Sequence, residues 1–214
     1  MLSVKKAISL GVDRVEIDVH QSKDGEIVII HDHTLDRTTN GTGKIKKYTY
    51  EELQKFEIDK SIERISTLQD AIDLCKDKVI LVIELKKHHG YYKGLEEKVV
   101  KIIQKNDLKK QCVVHAFNTK VLKTIHALDP EIELHKLVLI GLLTNFKKFD
   151  YVTEFSVYNK FVKQRHIKKI HALNKKANVW TVNDQDEVAQ LVKWGVDGII
   201  TDNPWLILEG LKQD

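Results

Sequence analysis

From residue 79 onward short apolar runs alternate with amphipathic stretches, and that alternation limits the available folds more than any other feature of the chain. Val79-Ile-Leu-Val-Ile83 is a continuous apolar run, the pattern of a strand covered on both faces. Beyond it the periodicity predicts helix 95–105, strand 112–117, helix 119–128, strand 134–140, strand 152–157, helix 161–175, strand 178–182, helix 184–194, strand 197–201 and a closing helix from about Pro204. Repeated strands and helices of this length argue for parallel strands joined by right-handed crossovers. Pro130 and Pro204 both fall outside helix interiors, which agrees with that division.

Upstream, residues 12–37 carry the densest chemistry. Val15, Ile17 and Val19 alternate with Glu16, Asp18 and His20, the period of two that puts successive side chains on opposite faces of a strand over 12–19. Lys23-Asp24-Gly25 then reads as a hairpin turn, and Ile27-Val-Ile-Ile as a returning strand that ends on His31. Two carboxylates about 7 Å apart, roughly twice the rise of a strand residue, would thus share one end with an imidazole. A metal and acid–base cluster fits this pattern; a half-exposed strand with a solvated polar face fits it too. The apolar run at 79–83 leads into Glu84-Leu85-Lys86, and a carboxylate at the tip of a buried strand must reach water, a cation or a metal, since an unpaired buried charge costs several kcal/mol.

Helix signals flank the rest. The opening residues, Met1 to Gly11, have the pattern of an amphipathic helix ended by glycine and lack the long apolar core of a signal peptide, so a cytoplasmic location is expected. Thr49 with Glu52 forms a capping-box pattern, and Ser66 or Thr67 opens a helix with apolar residues at 68, 71, 72 and 75. Between Thr38 and Ser66 the chain reads as an excursion with little periodic core. Cys75 and Cys112 lack metal-ligand spacing and are expected to be buried, reduced thiols.

Length and composition narrow the class. At 214 residues, 42% apolar and 31% charged, the chain suits one soluble α/β domain, 1–214, of ordinary composition. Its longest uncharged apolar run, Leu137 to Leu143, is far short of the roughly 18 to 20 residues of a membrane span. The 35 basic and 31 acidic residues are scattered, without a basic block interleaved with aromatics, so nucleic-acid binding has no positive support.

Several motifs in order resemble the glycerophosphodiester phosphodiesterase family, metal-dependent TIM barrels that hydrolyse glycerophosphodiesters to an alcohol and glycerol 3-phosphate. They are Gly11-Val-Asp-Arg-Val-Glu16-Ile-Asp18-Val, Lys23-Asp24-Gly25, His31-Asp32-His33-Thr34-Leu35-Asp36-Arg37-Thr38-Thr39-Asn40-Gly41, Ile83-Glu84-Leu85-Lys86, Trp180-Thr181-Val182-Asn183 and Gly195-Val196-Asp197-Gly198-Ile199-Ile200-Thr201-Asp202-Asn203-Pro204. Each motif alone is weak, but together they span nearly the whole chain.

The resemblance implies a (β/α)8-type barrel with a small insertion after its second strand, here residues 36–66. It assigns Glu16, Asp18 and Glu84 to a divalent cation, Ca²⁺ or Mg²⁺, and hard cations do choose oxygen ligands. It gives Lys86 to the phosphate, His31 to proton transfer, and Phe117 and Trp180 to the wall of the glycerol or headgroup pocket. An imidazole, ordinarily titrating at about 6.5, suits that proton transfer near neutrality. His20 is a peripheral candidate and Asn183 a brace for Trp180 or its loop or, equally, a helix cap, whereas His33, His88, His89 and His115 receive no role.

The sequence also departs from the family pattern. Only seven wall strands are counted, the first being missing, and with it the His-Arg-Gly segment that carries the second catalytic histidine. Two expectations follow: turnover by these 214 residues is impaired, and the strands at 12 and 197 are open neighbours through which the chain could form homo-oligomers. The alternatives are a non-catalytic barrel of the same descent that binds phosphoesters, and a fragment that does not fold stably alone.

Overall fold

The computed structural model describes residues 1–59, 61–86, 91–141 and 144–210. They fall into two compact units, Met1–Ile132 and Glu133–Asp214, each taken by itself below.

The first unit opens with helix α1 (Leu2–Ser9), which ends before Gly11, where φ is +75°. Strand β1 (Arg14–Gln21) follows, and the turn closes at Gly25, whose φ of +93° favours glycine. Asp24 stiffens this turn by accepting bonds from the Ser22 hydroxyl at 2.5 Å and the Tyr50 amide at 3.1 Å. Strand β2 (Ile27–Ile29) returns antiparallel, with Val19 opposite Ile29. It stops two residues short of His31, against expectation; the Ile29 amide donates to the Ser66 carbonyl, and one last bond to β1 runs from the Ile30 amide to the Asp18 carbonyl. Sheet order here is β2-β1-β3-β4, with β3 (Ile80–Leu85) and β4 (Cys112–Ala116) parallel to β1. The edge of β1 expected to stand open is therefore occupied by β2 near its end.

Residues 38–66, read as having little periodic core, contribute to a core of irregular spacing. Leu35, Ile45, Leu53 and Ile65 are fully buried with Val28 and Ile30 of the hairpin, and Tyr48, Tyr50 and Phe56 pack against them. Their spacing is irregular because mostly turns position them, which is why no period announces them. Helix α2 (Tyr50–Leu53) has the expected capping box of Thr49 and Glu52. Helix α3 (Leu68–Cys75) is capped in the same way by Thr67 and Asp70, an arrangement worth about 1 kcal/mol, and buries Leu68, Ala71, Ile72 and Cys75. Helices α4 (Leu95–Lys105) and α5 (Thr119–Leu128) match the predicted ranges. Both cysteines are buried free thiols, and burial pushes the Cys112 pKa up to about 12.

The second unit repeats strand and helix: β5 (Glu133–Val138), β6 (Glu154–Tyr158), α6 (Gln164–His171), β7 (Lys176–Trp180), α7 (Gln185–Lys193), β8 (Gly198–Ile199) and α8 (Pro204–Gly210). Its strands pair in parallel in chain order. Their register aligns His135, Glu154 and Lys176 at the strands' beginnings.

Glu154, only 1% exposed, accepts from Asn178 at 2.6 Å and lies 3.5 Å from both His135 and Lys176. His135 in turn meets Glu133 at 3.0 Å. One ligand atom each from Glu133, His135 and Glu154 lies within 4.8 Å of the others, and Asn178 and Lys176 also reach Glu154. We read the group as a brace joining β5, β6 and β7. Removing the Glu154 carboxylate leaves the buried Asn178 amide without this acceptor, so Glu154→Ala is expected to cost about 1 to 3 kcal/mol. A urea unfolding midpoint equal to that of the parent chain would contradict the assignment.

Candidate functional site

The first unit gathers Glu16, Asp18, Glu84, Lys86 and His31. The acids come from adjacent parallel strands, and register places Asp18 directly beside Glu84. One carboxylate oxygen from each of Glu16, Asp18 and Glu84 lies within 4.8 Å of the others. Lys86 follows Glu84 by two residues and reaches back, its ammonium 3.0 Å from Asp18 and 2.9 Å from Glu84. It also stands 3.4 Å from Nε2 of His31.

Electrostatics explains why these groups cluster. Burial pushes the Glu84 pKa up to about 6, with Asp18 adding repulsion and Lys86 opposing both. Desolvation also works against the Lys86 charge, yet Asp18 and Glu84 outweigh it and raise the ammonium above its ordinary value. The two carboxylates thus demand positive charge, and the lysine supplies one unit of it.

The donor set fits a divalent ion. All three candidate ligands offer hard oxygens, and oxygens spaced within 4.8 Å can surround one ion whose bonds run about 2.0 to 2.6 Å. Glu154 of the second unit, by contrast, is also met by Asn178 and Lys176.

His31 is held from one side by a residue to which the sequence reading gave no role. Asp32 lies 2.7 Å from the His31 Nδ1 and accepts two bonds from Arg37, at 2.6 and 2.9 Å. With Asp32 accepting at Nδ1, the ring carries its hydrogen there and leaves Nε2 facing Lys86. The Arg37 hydrogen bonds, aided by His31, hold the Asp32 carboxyl well below the usual carboxylate range despite some desolvation. Direct adjacency to His31 was the available signal. The acid-to-arginine spacing carries no periodicity, so nothing in the sequence pairs Arg37 with Asp32.

The remaining candidates divide. Phe117 follows β4 directly and is 41% exposed. Trp180 ends β7 in the second unit, donates to the Ser156 carbonyl at 2.9 Å and packs 4.9 Å from the Tyr158 ring. Asn183 accepts from the Thr201 hydroxyl and the Asp202 amide, both at 2.9 Å, tying the end of β7 to that of β8; Asp184, not Asn183, caps α7. His20 is buried rather than on the open polar face. His115 is buried beside Glu84 in register. His88 and His89 lie outside the described residues.

A family model described as the glycerophosphoryl diester phosphodiesterase family matches residues 1–206. A glycerophosphodiester phosphodiesterase of Caldanaerobacter subterraneus subsp. tengcongensis is 34% identical across 98% of this chain and 90% of its own length. One from Bacillus altitudinis is 31% identical across 95% and 88%. Among solved structures, an Oleispira antarctica phosphodiesterase in complex with the product sn-glycerol-3-phosphate superposes with a TM-score of 0.88, 28% identity and coverage of 99% of this chain and 90% of that one. The α/β barrel class expected from the sequence is the one these likenesses support.

The Asp32–Arg37 pair has a measurable consequence. Charge-assisted bonds favour the ionised carboxyl, so Asp32 contributes stability present above the ordinary carboxylate pKa and lost as pH falls. Arg37→Ala should raise the Asp32 pKa toward the ordinary range, read by carboxyl ¹³C chemical shifts against pH. An unchanged titration would show that the guanidinium does not hold it.

Proposed function

Because the chain belongs to the glycerophosphoryl diester phosphodiesterase family, we propose that it hydrolyses glycerophosphodiesters to an alcohol and glycerol 3-phosphate, using a divalent cation. The observation that carries this reading is the meeting of Glu16, Asp18 and Glu84 beside Lys86 and His31 in one unit. The product named with the Oleispira antarctica structure is the one this reaction would yield.

In the proposed mechanism Glu16, Asp18 and Glu84 hold the ion, Ca²⁺ or Mg²⁺. When bound, it neutralises phosphate oxygens and the charge developing at phosphorus. Lys86, one ammonium between two acids, then turns its donors to a phosphate oxygen. His31 presents Nε2 on the same side as Lys86 and holds or moves a proton there, with Asp32 fixing the ring at Nδ1. In-line attack at phosphorus also needs a second proton-transfer group, for which these 214 residues hold no match to the family's His-Arg-Gly histidine. Phe117, in the same unit, is proposed to border the organic part of the substrate. No described helix is long and apolar enough to cross a membrane. The two reduced, buried thiols suit the proposed cytoplasmic setting.

Release of glycerol 3-phosphate from glycerophosphocholine tests the reading. Chelator should abolish it, and Glu84→Gln should lower kcat/KM by about 10²-fold or more. Chelator-insensitive hydrolysis would overturn the metal assignment. A chain extended upstream by a His-Arg-Gly segment should turn over roughly 10²- to 10⁴-fold faster than residues 1–214, and equal rates would refute the two-histidine account. Binding of glycerol 3-phosphate without turnover, even in the extended chain, would favour a binding protein of this descent instead.

A further inference from the structure

We propose that His20 and Tyr92 are a positioning pair that fixes where His31 stands by gripping its backbone carbonyl beyond the end of the β1–β2 ladder. This deepens the reading of His31 as a proton-transfer group and rests on it for its functional consequence.

The paired strands end at Val19 opposite Ile29, and one more backbone bond, from Ile30 to Asp18, follows at 3.1 Å. His31 therefore lies past the sheet, with a side chain 59% exposed. Its carbonyl sits 3.1 Å from Nε2 of His20, a residue only 3% exposed. Asp32, the other hold on His31, is itself in the loop beyond the strand. The carbonyl bond thus ties the His31 backbone to β1, while Lys86 meets its ring from the end of β3.

The chemistry of that bond is determined by its partners. A carbonyl only accepts, so Nε2 of His20 must donate. Nδ1 lies 2.8 Å from the Tyr92 hydroxyl, which can donate to it, and the neutral ring then satisfies both neighbours. Tyr92 is 4% exposed, and its ring meets that of His20 edge-on at 5.7 Å.

Location gives the pair its reach. Tyr92 stands between β3, whose end carries Glu84, and α4. Its ring packs on Tyr91 at 4.7 Å, and Tyr91 in turn receives the Lys46 ammonium at 3.7 Å from the ring centre. One hydrogen-bonded chain, Tyr92 to His20 to His31, thereby links the segment after the Glu84 strand to the loop bearing the imidazole. A pair that merely satisfied two buried polar groups would stabilise the unit equally well, but its loss would leave the His31 ring undisturbed.

That difference sets the experiment, done on the full 214-residue chain. Long-range ¹H–¹⁵N NMR of the His31 ring at fixed pH, thermal midpoints and glycerophosphocholine hydrolysis are compared for the parent, Tyr92→Phe, His20→Phe and His20→Gln. Tyr92→Phe and His20→Phe are expected to move the His31 ring nitrogens toward the values of a free, tautomer-averaged histidine. His20→Gln, whose amide can still donate to the carbonyl, should keep them near the parent values. In the folded fraction, kcat for His20→Phe should fall ~10- to 100-fold, the scale of a misplaced catalytic group, with KM nearly unchanged.

Unchanged His31 signals in Tyr92→Phe and His20→Phe, with only a lowered thermal midpoint, would overturn the proposal. If His20→Phe does not fold, Tyr92→Phe, which loses one hydroxyl, decides alone. Where the parent's turnover is too slow to read, the His31 ring signals decide this proposal, and hydrolysis by the upstream-extended chain decides the functional reading.

Discussion

Asp18 and Glu84 are brought side by side by parallel β pairing, and the rest of the first unit answers the repulsion that results. Parallel register leaves little freedom to part them, because shifting β1 by one residue would exchange buried Val15, Ile17 and Val19 for Glu16 and Asp18. Burial makes the neighbourhood worse for the charged form of Glu84, and Lys86 lies within 3.0 Å of both acids in response. With Glu16 added, three acids face one ammonium, an excess of negative charge that suits a hard divalent ion better than a second lysine would. The same ammonium is then free to meet a phosphate.

The hairpin has a separate task. It carries His31 to the end of β1, and since its ladder stops short, side chains rather than strand pairing finish the placement. Asp32 with Arg37 orients the ring from outside, and His20 with Tyr92 holds the backbone from inside. Apolar residues scattered through the 36–66 insertion anchor the base of this hairpin through Val28 and Ile30.

Much of this was legible in the sequence where chemistry follows a period. The alternation at 15–20 showed which side chains of β1 share a face, and the run at 79–83 showed that Glu84 tips a buried strand. The capping residues Thr49 and Thr67 announced their helices because a cap is a local bond. What escaped depends on contacts distant in sequence or without period: the core of the insertion, the Arg37 grip on Asp32, the His20–Tyr92 bond, and the Glu154 network aligned only by strand register. His20 shows the limit well. Alternation placed it on the polar face with Glu16 and Asp18, but it could not show that Tyr92 would cover it.

The central claim is that Glu16, Asp18 and Glu84 together form one cation site. Calorimetric titration of the chelator-treated protein with Ca²⁺ and Mg²⁺ tests it most directly, since it needs no turnover. The account predicts saturable binding of a single ion per chain for at least one of the two metals, lost in both Asp18→Asn and Glu84→Gln chains that remain folded. Equal binding by those variants and the parent, or no binding of either metal by the parent, would contradict it.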